Sequence, residues 1–250
     1  MTGYAILYLD GELVISNSHT VLPKDVFFDY GKFDESDVPW KLNELDIKTV
    51  RILNLIHVNK MDYWFYQCSN LENIFGFENI DVSNITDFSY MFYYCEKLKD
   101  ISTLQNWDVS KGTNFSSMFS FCENLTDISA LQNWNVLNGT DFSYMFNCCE
   151  KLTDISALQN WDVSNATNFS FMFNFCENLT DIFALQNWDV SNATNFSYMF
   201  NCCEKLKQIQ LPDTLKKLRE KMFHNCNLNL QIHWHGHIYT YADLIEYKKF

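Results

Sequence analysis

The chain has 250 residues, 47% of them hydrophobic and 17% aromatic, with a formal charge of −13. That composition excludes a disordered or low-complexity chain, and the charge excludes an electrostatic nucleic-acid binder. Seven glycines and three prolines are too few for flexible linkers, and no uncharged apolar run is long enough to span a membrane as a helix.

Residues 1–9 are apolar, but they lack a basic start and are followed closely by Asp10 and Glu12, so they do not read as a signal peptide. Residues 4–16 read instead as a hairpin around Asp10-Gly11, a two-residue type I′ turn signal. Residues 49–57 alternate like a strand. Residues 1–58 are therefore expected to form a β-rich N-terminal cap.

A repeat then takes over. LKDISTLQNWDVSKGTNFSSMFSFCEN starts at Leu98, LTDISALQNWNVLNGTDFSYMFNCCEK at Leu125, and LTDISALQNWDVSNATNFSFMFNFCEN at Leu152. A fourth copy starts at Leu179 and a diverged one at Leu71, so five copies of 27 residues fill 71–205. Met-Phe-x-x-Cys closes each copy, at Cys95, Cys122, Cys149, Cys176 and Cys203. Trp64-Phe65-Tyr66-Gln67-Cys68 keeps the phase upstream, and Met222-Phe223-His224-Asn225-Cys226 follows after 23 residues, giving seven rungs with atypical ends. Atypical ends are expected where terminal repeats must shield a stacked core.

Each copy is expected to form a strand, a loop and a short helix. The strand is 98–101 and its equivalents. The helix follows from Phe115, Met118, Phe119 and Cys122, spaced i, i+3, i+4, i+7, with Asn114 as N-cap. Asp87, Asp141, Asn168 and Asn195 would cap the other copies. Parallel stacking would align Leu98/Leu125/Leu152/Leu179, Ile101/Ile128/Ile155/Ile182 and Trp107/Trp134/Trp161/Trp188 in buried columns.

Beyond the array lies Ile232-His233-Trp234-His235-Gly236-His237, the best metal candidate. Three histidines two apart would share one face of a strand, and His224 and Cys226 lie just upstream. The plainer reading is a segment that packs a terminal cap, with no metal. Thr240-Tyr-Ala-Asp243 resembles a capping box before a short helix carrying Leu244 and Ile245, with Lys248 and Lys249 at its C-terminal end. Residues 227–250 thus read as a C-terminal cap, leaving 59–226 as the repeat domain.

Six of the nine cysteines lie one repeat apart from Cys68 to Cys203, on the apolar side. Neither Cys-x-x-Cys nor zinc spacing occurs, so they read as buried free thiols rather than a disulfide or metal ladder. Cys148 and Cys202 precede core cysteines and should point off the core. Asp100/Asp127/Asp154/Asp181 form one acidic column and Glu96/Glu123/Glu150/Glu177/Glu204 another. Asp108, Asp162 and Asp189 form a third, interrupted by Asn135. Residues 71–205 hold 17 acids and 5 bases, a net of −12. Solvated or loop-capping acids account for these columns; bound calcium is the alternative, though its nonapeptide repeat is absent. The sequons at Asn165, Asn168, Asn192 and Asn195 fall out of the repeat and need no glycan. No Gly-x-Ser-x-Gly, phosphate loop, dinucleotide fingerprint or His-Glu-x-x-His occurs, so neither catalytic residues nor a cofactor are expected.

Leu-x-x-Ile-x-x-Leu-x-Asn matches the leucine-rich-repeat pattern at three of four anchors. The fuller string Leu-x-x-Trp-Asp-Val-Ser-Asn…Met-Phe-x-x-Cys resembles the repeat of BspA-like leucine-rich-repeat surface proteins, and residues 206–215 resemble that family's 23-residue variant. The resemblance covers roughly 60–226. It departs at Phe115, Phe142, Phe169 and Phe196, where the family has methionine. It implies an α/β solenoid, leucine-rich-repeat-like and capped at both ends, on a cell surface or secreted, adhering to host or matrix proteins or to other cells.

The expected function is non-catalytic protein binding through the exposed strand face, carried by Asp100, Thr126, Asp127, Thr153, Asp154, Thr180 and Asp181, with neither nucleic acid nor membrane insertion. The lack of a signal peptide points to the alternative of an intracellular scaffold or effector. A second alternative is a metal-binding protein using His233, His235 and His237.

Overall fold

The computed structural model describes residues 2–34, 38–218 and 220–247. β1 (Thr2–Tyr8) and β2 (Glu12–Ser16) form the expected hairpin, pairing Tyr4 with Ser16 and Leu7 with Leu13. Its loop is one residue longer than the turn signal implied. Leu9 and Asp10 precede Gly11, whose φ of 86° closes the turn with an N–H to the Tyr8 carbonyl. β3 (Val26–Asp34), which the sequence reading missed, pairs antiparallel with β1 and carries two register shifts. Bulges of this kind blur the alternation by which a strand is recognised.

β4 (Thr49–Ile52) continues the sheet parallel to β2, and β6 (Asn73–Phe75) lies parallel to β4, giving the order β3-β1-β2-β4-β6. The sheet therefore starts as an antiparallel cap and ends inside the first repeat. The run at 49–57 is not one strand: the chain breaks after Ile52 and resumes as β5 (Ile56–His57), which pairs with β7 (Ile80–Asp81). The largely buried Glu12 carboxylate holds the cap together, accepting from Lys24 Nζ at 2.6 Å and Arg51 Nε at 2.6 Å.

From residue 61 onward the chain is a stack of rungs. Seven phenylalanines from Phe65 to Phe223 form a column, with adjacent rings 5.5–5.8 Å apart. Trp40, in the 3-10 segment Pro39–Asp46, stacks beneath Phe65 and donates its indole N–H to the Trp64 carbonyl. The expected leucine, isoleucine and tryptophan columns are all buried. Each indole in the tryptophan column donates to a carbonyl of the preceding rung, as Trp134 does to Leu104 and Trp161 to Leu131. One apolar cluster runs from Ala5 to Leu244.

The expected helix is absent from the regular rungs. Phe142, Met145, Phe146 and Cys149 are fully buried, as the spacing required, but they sit on two successive turns. Tyr144 and Cys148 adopt left-handed φ values of 58° and 57°, and their counterparts recur in every regular copy, at 90/94, 117/121, 171/175 and 198/202. Alternate N–H groups, from Phe142, Tyr144, Phe146 and Cys148, reach carbonyls of the next rung at 2.7–2.9 Å. The intervening ones, from Met145, Asn147 and Cys149, bond within the rung. A helix would direct its N–H groups along its own axis and hold its neighbours ~8–10 Å apart, whereas strand-like ladders allow ~4.8 Å. The proposed caps keep a related role. Asp87, Asn114, Asp141, Asn168 and Asn195 each accept the N–H two residues on, and they pair through parallel bridges.

The expected strand at 98–101 is absent too. Leu98 and Ile101 both point inward, three residues apart. A single 3-10 turn follows instead, at Ser102–Leu104 and its equivalents Ser129–Leu131, Ser156–Leu158 and Phe183–Leu185. A strand does form in the last rung, where β8 (Gln208–Gln210) buries Ile209 and Leu211 follows it inside.

β8 pairs parallel with β9 (Gln231–Trp234), which turns back into β10 (His237–Thr240). The capping box forms as read, the Asp243 carboxylate accepting from the Thr240 N–H and hydroxyl at 2.7 Å ahead of α1 (Tyr241–Tyr247). Lys248 and Lys249 lie outside the described residues. Among the described residues no helix is long and apolar enough to cross a membrane.

Candidate functional site

Asp100, Thr126, Asp127, Thr153, Asp154, Thr180 and Asp181 come together as an exposed stripe on successive rungs. The stripe lies on turns, not on a strand. Each aspartate caps its own 3-10 turn: Asp127 Oδ1 accepts the Ser129 N–H at 2.7 Å, Asp154 that of Ser156 at 2.7 Å, Asp100 that of Ser102 at 2.7 Å and Asp181 that of Phe183 at 3.2 Å. One carboxylate oxygen of each is thus held in place, and at Asp154 the Ser156 hydroxyl donates to the second oxygen at 3.0 Å. Between adjacent rungs, Thr126, Asp127, Gln132, Asp154, Ser156 and Asn160 line a polar groove of about 340 Å³.

The third acidic column caps loops as the sequence implied. Asp108, Asp162 and Asp189 accept the N–H of Ser110, Ser164 and Ser191, and Asn135 does the same for Leu137. Hydrogen bonds from the Ser110 hydroxyl and N–H hold the Asp108 carboxyl below its ordinary value. In the glutamate column, burial and then the like charges of Glu150 and Glu96 push Glu123 up. Lys151 partly offsets this, while Lys97, Lys151 and Lys205 donate to the side chains of Asn70, Asn124 and Asn178 one rung back.

The three histidines do not share a strand face. His233 is on β9, His237 on β10, and His235 sits in the turn between them at φ 50°, its Nε2 2.8 Å from the Asp213 carbonyl. Gly236, at φ 74°, completes that reversal, and this is why the i, i+2, i+4 spacing does not become one face. Among the described residues no group of three or more His, Cys, Asp or Glu is placed to hold a metal ion.

The core thiols donate to carbonyls of earlier rungs, Cys122 to Phe92 at 3.3 Å, Cys149 to Phe119 at 3.3 Å and Cys176 to Phe146 at 3.2 Å. Burial pushes these thiols far up. Cys148 points off the core and is half-buried, as read; Cys202 is buried, with Asn225 donating to its sulfur. A thiol reagent at neutral pH is expected to label Cys148 first and slowly. Burial and then Glu150, Glu123 and Glu177 push that thiol up to about 12, and attack requires the thiolate. All nine cysteines should react after unfolding. Rapid uptake of several equivalents by the folded protein, counted by mass spectrometry, would contradict the buried ladder.

A second groove lies over the left-handed turns. It holds about 560 Å³ between aromatic walls that include Tyr90, Tyr144, Phe121 and Phe175, over a floor of Ser120 and Asn147. The sequence signal for it is an aromatic residue recurring two places after Phe88, Phe142, Phe169 and Phe196, which only the left-handed turn brings out to the surface.

Stacked rungs with capped ends and two surface grooves define a repeat protein. Residues 35–155 and 123–234 match the family described as "Mycoplasma protein of unknown function, DUF285". The two matches overlap and together span most of the chain, which belongs to this family. Comparison with curated proteins gives no match. Among solved structures, the chain is similar to a leucine-rich repeat protein from Eubacterium ventriosum ATCC 27560, with 14% identity, 93% of each chain covered and a TM-score of 0.31. It is also similar to a leucine rich cell surface protein from Faecalibacterium prausnitzii A2-165, with 16% identity, 92% of this chain and 74% of that one covered, and a TM-score of 0.41.

Proposed function

We propose that this chain is a non-catalytic repeat module that binds a protein partner through the aspartate–threonine stripe. The observation that carries this reading is the repetition itself: the same oriented carboxylate, with its neighbouring hydroxyl, recurs at one-rung intervals on a stack whose net charge is −12. A shallow polar groove suits an extended basic or polar polypeptide better than a small substrate, which needs an enclosed apolar pocket. Residues 59–226 form the binding module, of leucine-rich-repeat type, with 1–58 and 227–250 as its caps. The likeness of its repeat to BspA-like sequences supports adhesion at a cell surface as the setting.

The caps dictate the test. Charge reversal at these aspartates would also remove the acceptors for Ser129, Ser156 and Phe183, at ~0.5–2 kcal/mol per lost cap. Asparagine keeps the acceptor and removes the charge. The triple variant Asp127→Asn, Asp154→Asn, Asp181→Asn is expected to melt as the parent does and to bind a fluorescent (Lys-Ser)6 peptide at least tenfold more weakly, with the parent's binding falling as salt rises. A matched triple in the loop-capping column, Asp108→Asn, Asp162→Asn, Asp189→Asn, should bind nearly as the parent does. Equal binding by the first triple and the parent would defeat the stripe as the binding site.

A further inference from the structure

The left-handed residues at the start of each double turn form a column of their own: Tyr63, Tyr90, Ser117, Tyr144, Phe171 and Tyr198. Wherever two aromatic rings are adjacent in it they stack. Tyr63 and Tyr90 lie 4.8 Å apart at 8°, Tyr144 and Phe171 4.5 Å apart at 7°, and Phe171 and Tyr198 4.9 Å apart at 20°. Ser117 breaks the column. Its side chain is buried, and it leaves Tyr90 and Tyr144 facing each other two rungs apart, at ~9–10 Å from the strand-ladder spacing. One planar ring placed midway would lie ~4.5–5 Å from each, within the offset-stacking range of aromatic pairs.

The gap opens into the second groove, whose floor is already satisfied. Asn147 donates to Ser120 Oγ at 2.9 Å, and Asn174 donates to Asn147. Little on that floor seeks a polar ligand, so the walls decide what enters. The glutamate column runs beside the groove, close enough for Glu123, Glu150 and Glu177 to act on the Cys148 thiol in its lining. Among the described residues no ion pair involves those three carboxylates. A nucleobase would bring phosphates toward this negative rim and is disfavoured. We propose that the Ser117 gap is a slot for an aromatic side chain of a polypeptide partner, presented next to lysine or arginine.

The probe is acetyl-Lys-Trp-Lys-amide, followed by saturation-transfer NMR against the full chain. It is expected to bind at least tenfold more tightly than acetyl-Lys-Leu-Lys-amide, acetyl-Glu-Trp-Glu-amide or free indole. Ser117→Tyr should weaken it tenfold or more without lowering the melting temperature, because tyrosine occupies the same left-handed position at 90, 144 and 198. Tyr144→Ala, which removes one wall at an exposed site, should weaken it as well. Equal binding of the tryptophan and leucine peptides, or unchanged binding by Ser117→Tyr and Tyr144→Ala, overturns the slot. Indole binding as tightly as the basic peptide overturns the polypeptide assignment. The Asp127/Asp154/Asp181 triple variant should bind this probe as the parent does, so failure here and failure of the aspartate stripe are read separately.

Discussion

Deleting residues 152–178 is expected to give a shorter protein that still folds and melts cooperatively. The deletion joins Lys151 to Leu179 and restores every inter-rung contact in phase. The N–H groups of Phe142, Tyr144, Phe146 and Cys148, which now meet Asn168, Ser170, Met172 and Asn174, would meet Asn195, Ser197, Met199 and Asn201. Cys203 would replace Cys176 as donor to the Phe146 carbonyl, and Trp188 would replace Trp161 as donor to Leu131. Stability in such a stack is roughly a sum over rungs and their interfaces, so one interface is lost and the rest survive. Deleting only 152–165 sets the tryptophan column against the turn column and leaves alternate N–H groups without carbonyls. That protein should have no cooperative melt by circular dichroism. Equal melting temperatures for the two deletions would rule out stacking in register.

Phe146→Ala is expected to be the most damaging single substitution in the middle of the array. The ring is fully buried between Phe119 at 5.8 Å and Phe173 at 5.7 Å, nearly parallel to both. Truncation opens a cavity that neighbours on a tightly spaced ladder cannot fill, because moving one rung would break its bonds to two others. The expected loss is ~3–5 kcal/mol, or roughly 6–20 °C in melting temperature at this chain length. Phe146→Leu should recover much of it. A loss under ~1 kcal/mol for the alanine variant would mean that the column is loosely packed.

Much of the architecture was legible in the sequence because a repeat reports its own contacts. Residues 27 apart had to stack, so the leucine, isoleucine and tryptophan columns followed from spacing, and the capping box followed from its residue types. What spacing could not distinguish was helix from double turn. Phe142, Met145, Phe146 and Cys149 are spaced identically in both, since two turns of four residues bury their first and last members as a helix face does. The composition carried the missing information. Serine, asparagine, cysteine and aromatics are poor helix formers, and an eight-residue segment of them has little reason to be helical. The strand at 98–101 was misplaced because Leu71/Ile74 and Leu206/Ile209 keep the same spacing beside β6 and β8, so this spacing does not separate a strand from a turn. The bonds that decide the local structure run to the next copy, beyond any local window. The seven stripe residues were expected on a strand face and lie instead on turns that their aspartates cap. The aromatic groove was missed, because the aromatics two places after Phe88, Phe142, Phe169 and Phe196 reach the surface only through left-handed turns.

The ladder also gives the stack a direction. Turn residues such as Phe142 and Tyr144 donate their N–H groups to the following rung, while Thr140 and Asp141 donate theirs to the Thr113 carbonyl of the preceding one, so the front and rear of the stack are complementary rather than alike. Stripped of their caps, the front of one molecule would fit the rear of another, and such head-to-tail contacts propagate into open fibres rather than closed dimers. Trp40 occupies the Trp64 carbonyl at one end, and β9 lies along β8 at the other. These two contacts occupy the front and rear of the stack, where such a head-to-tail contact would otherwise form.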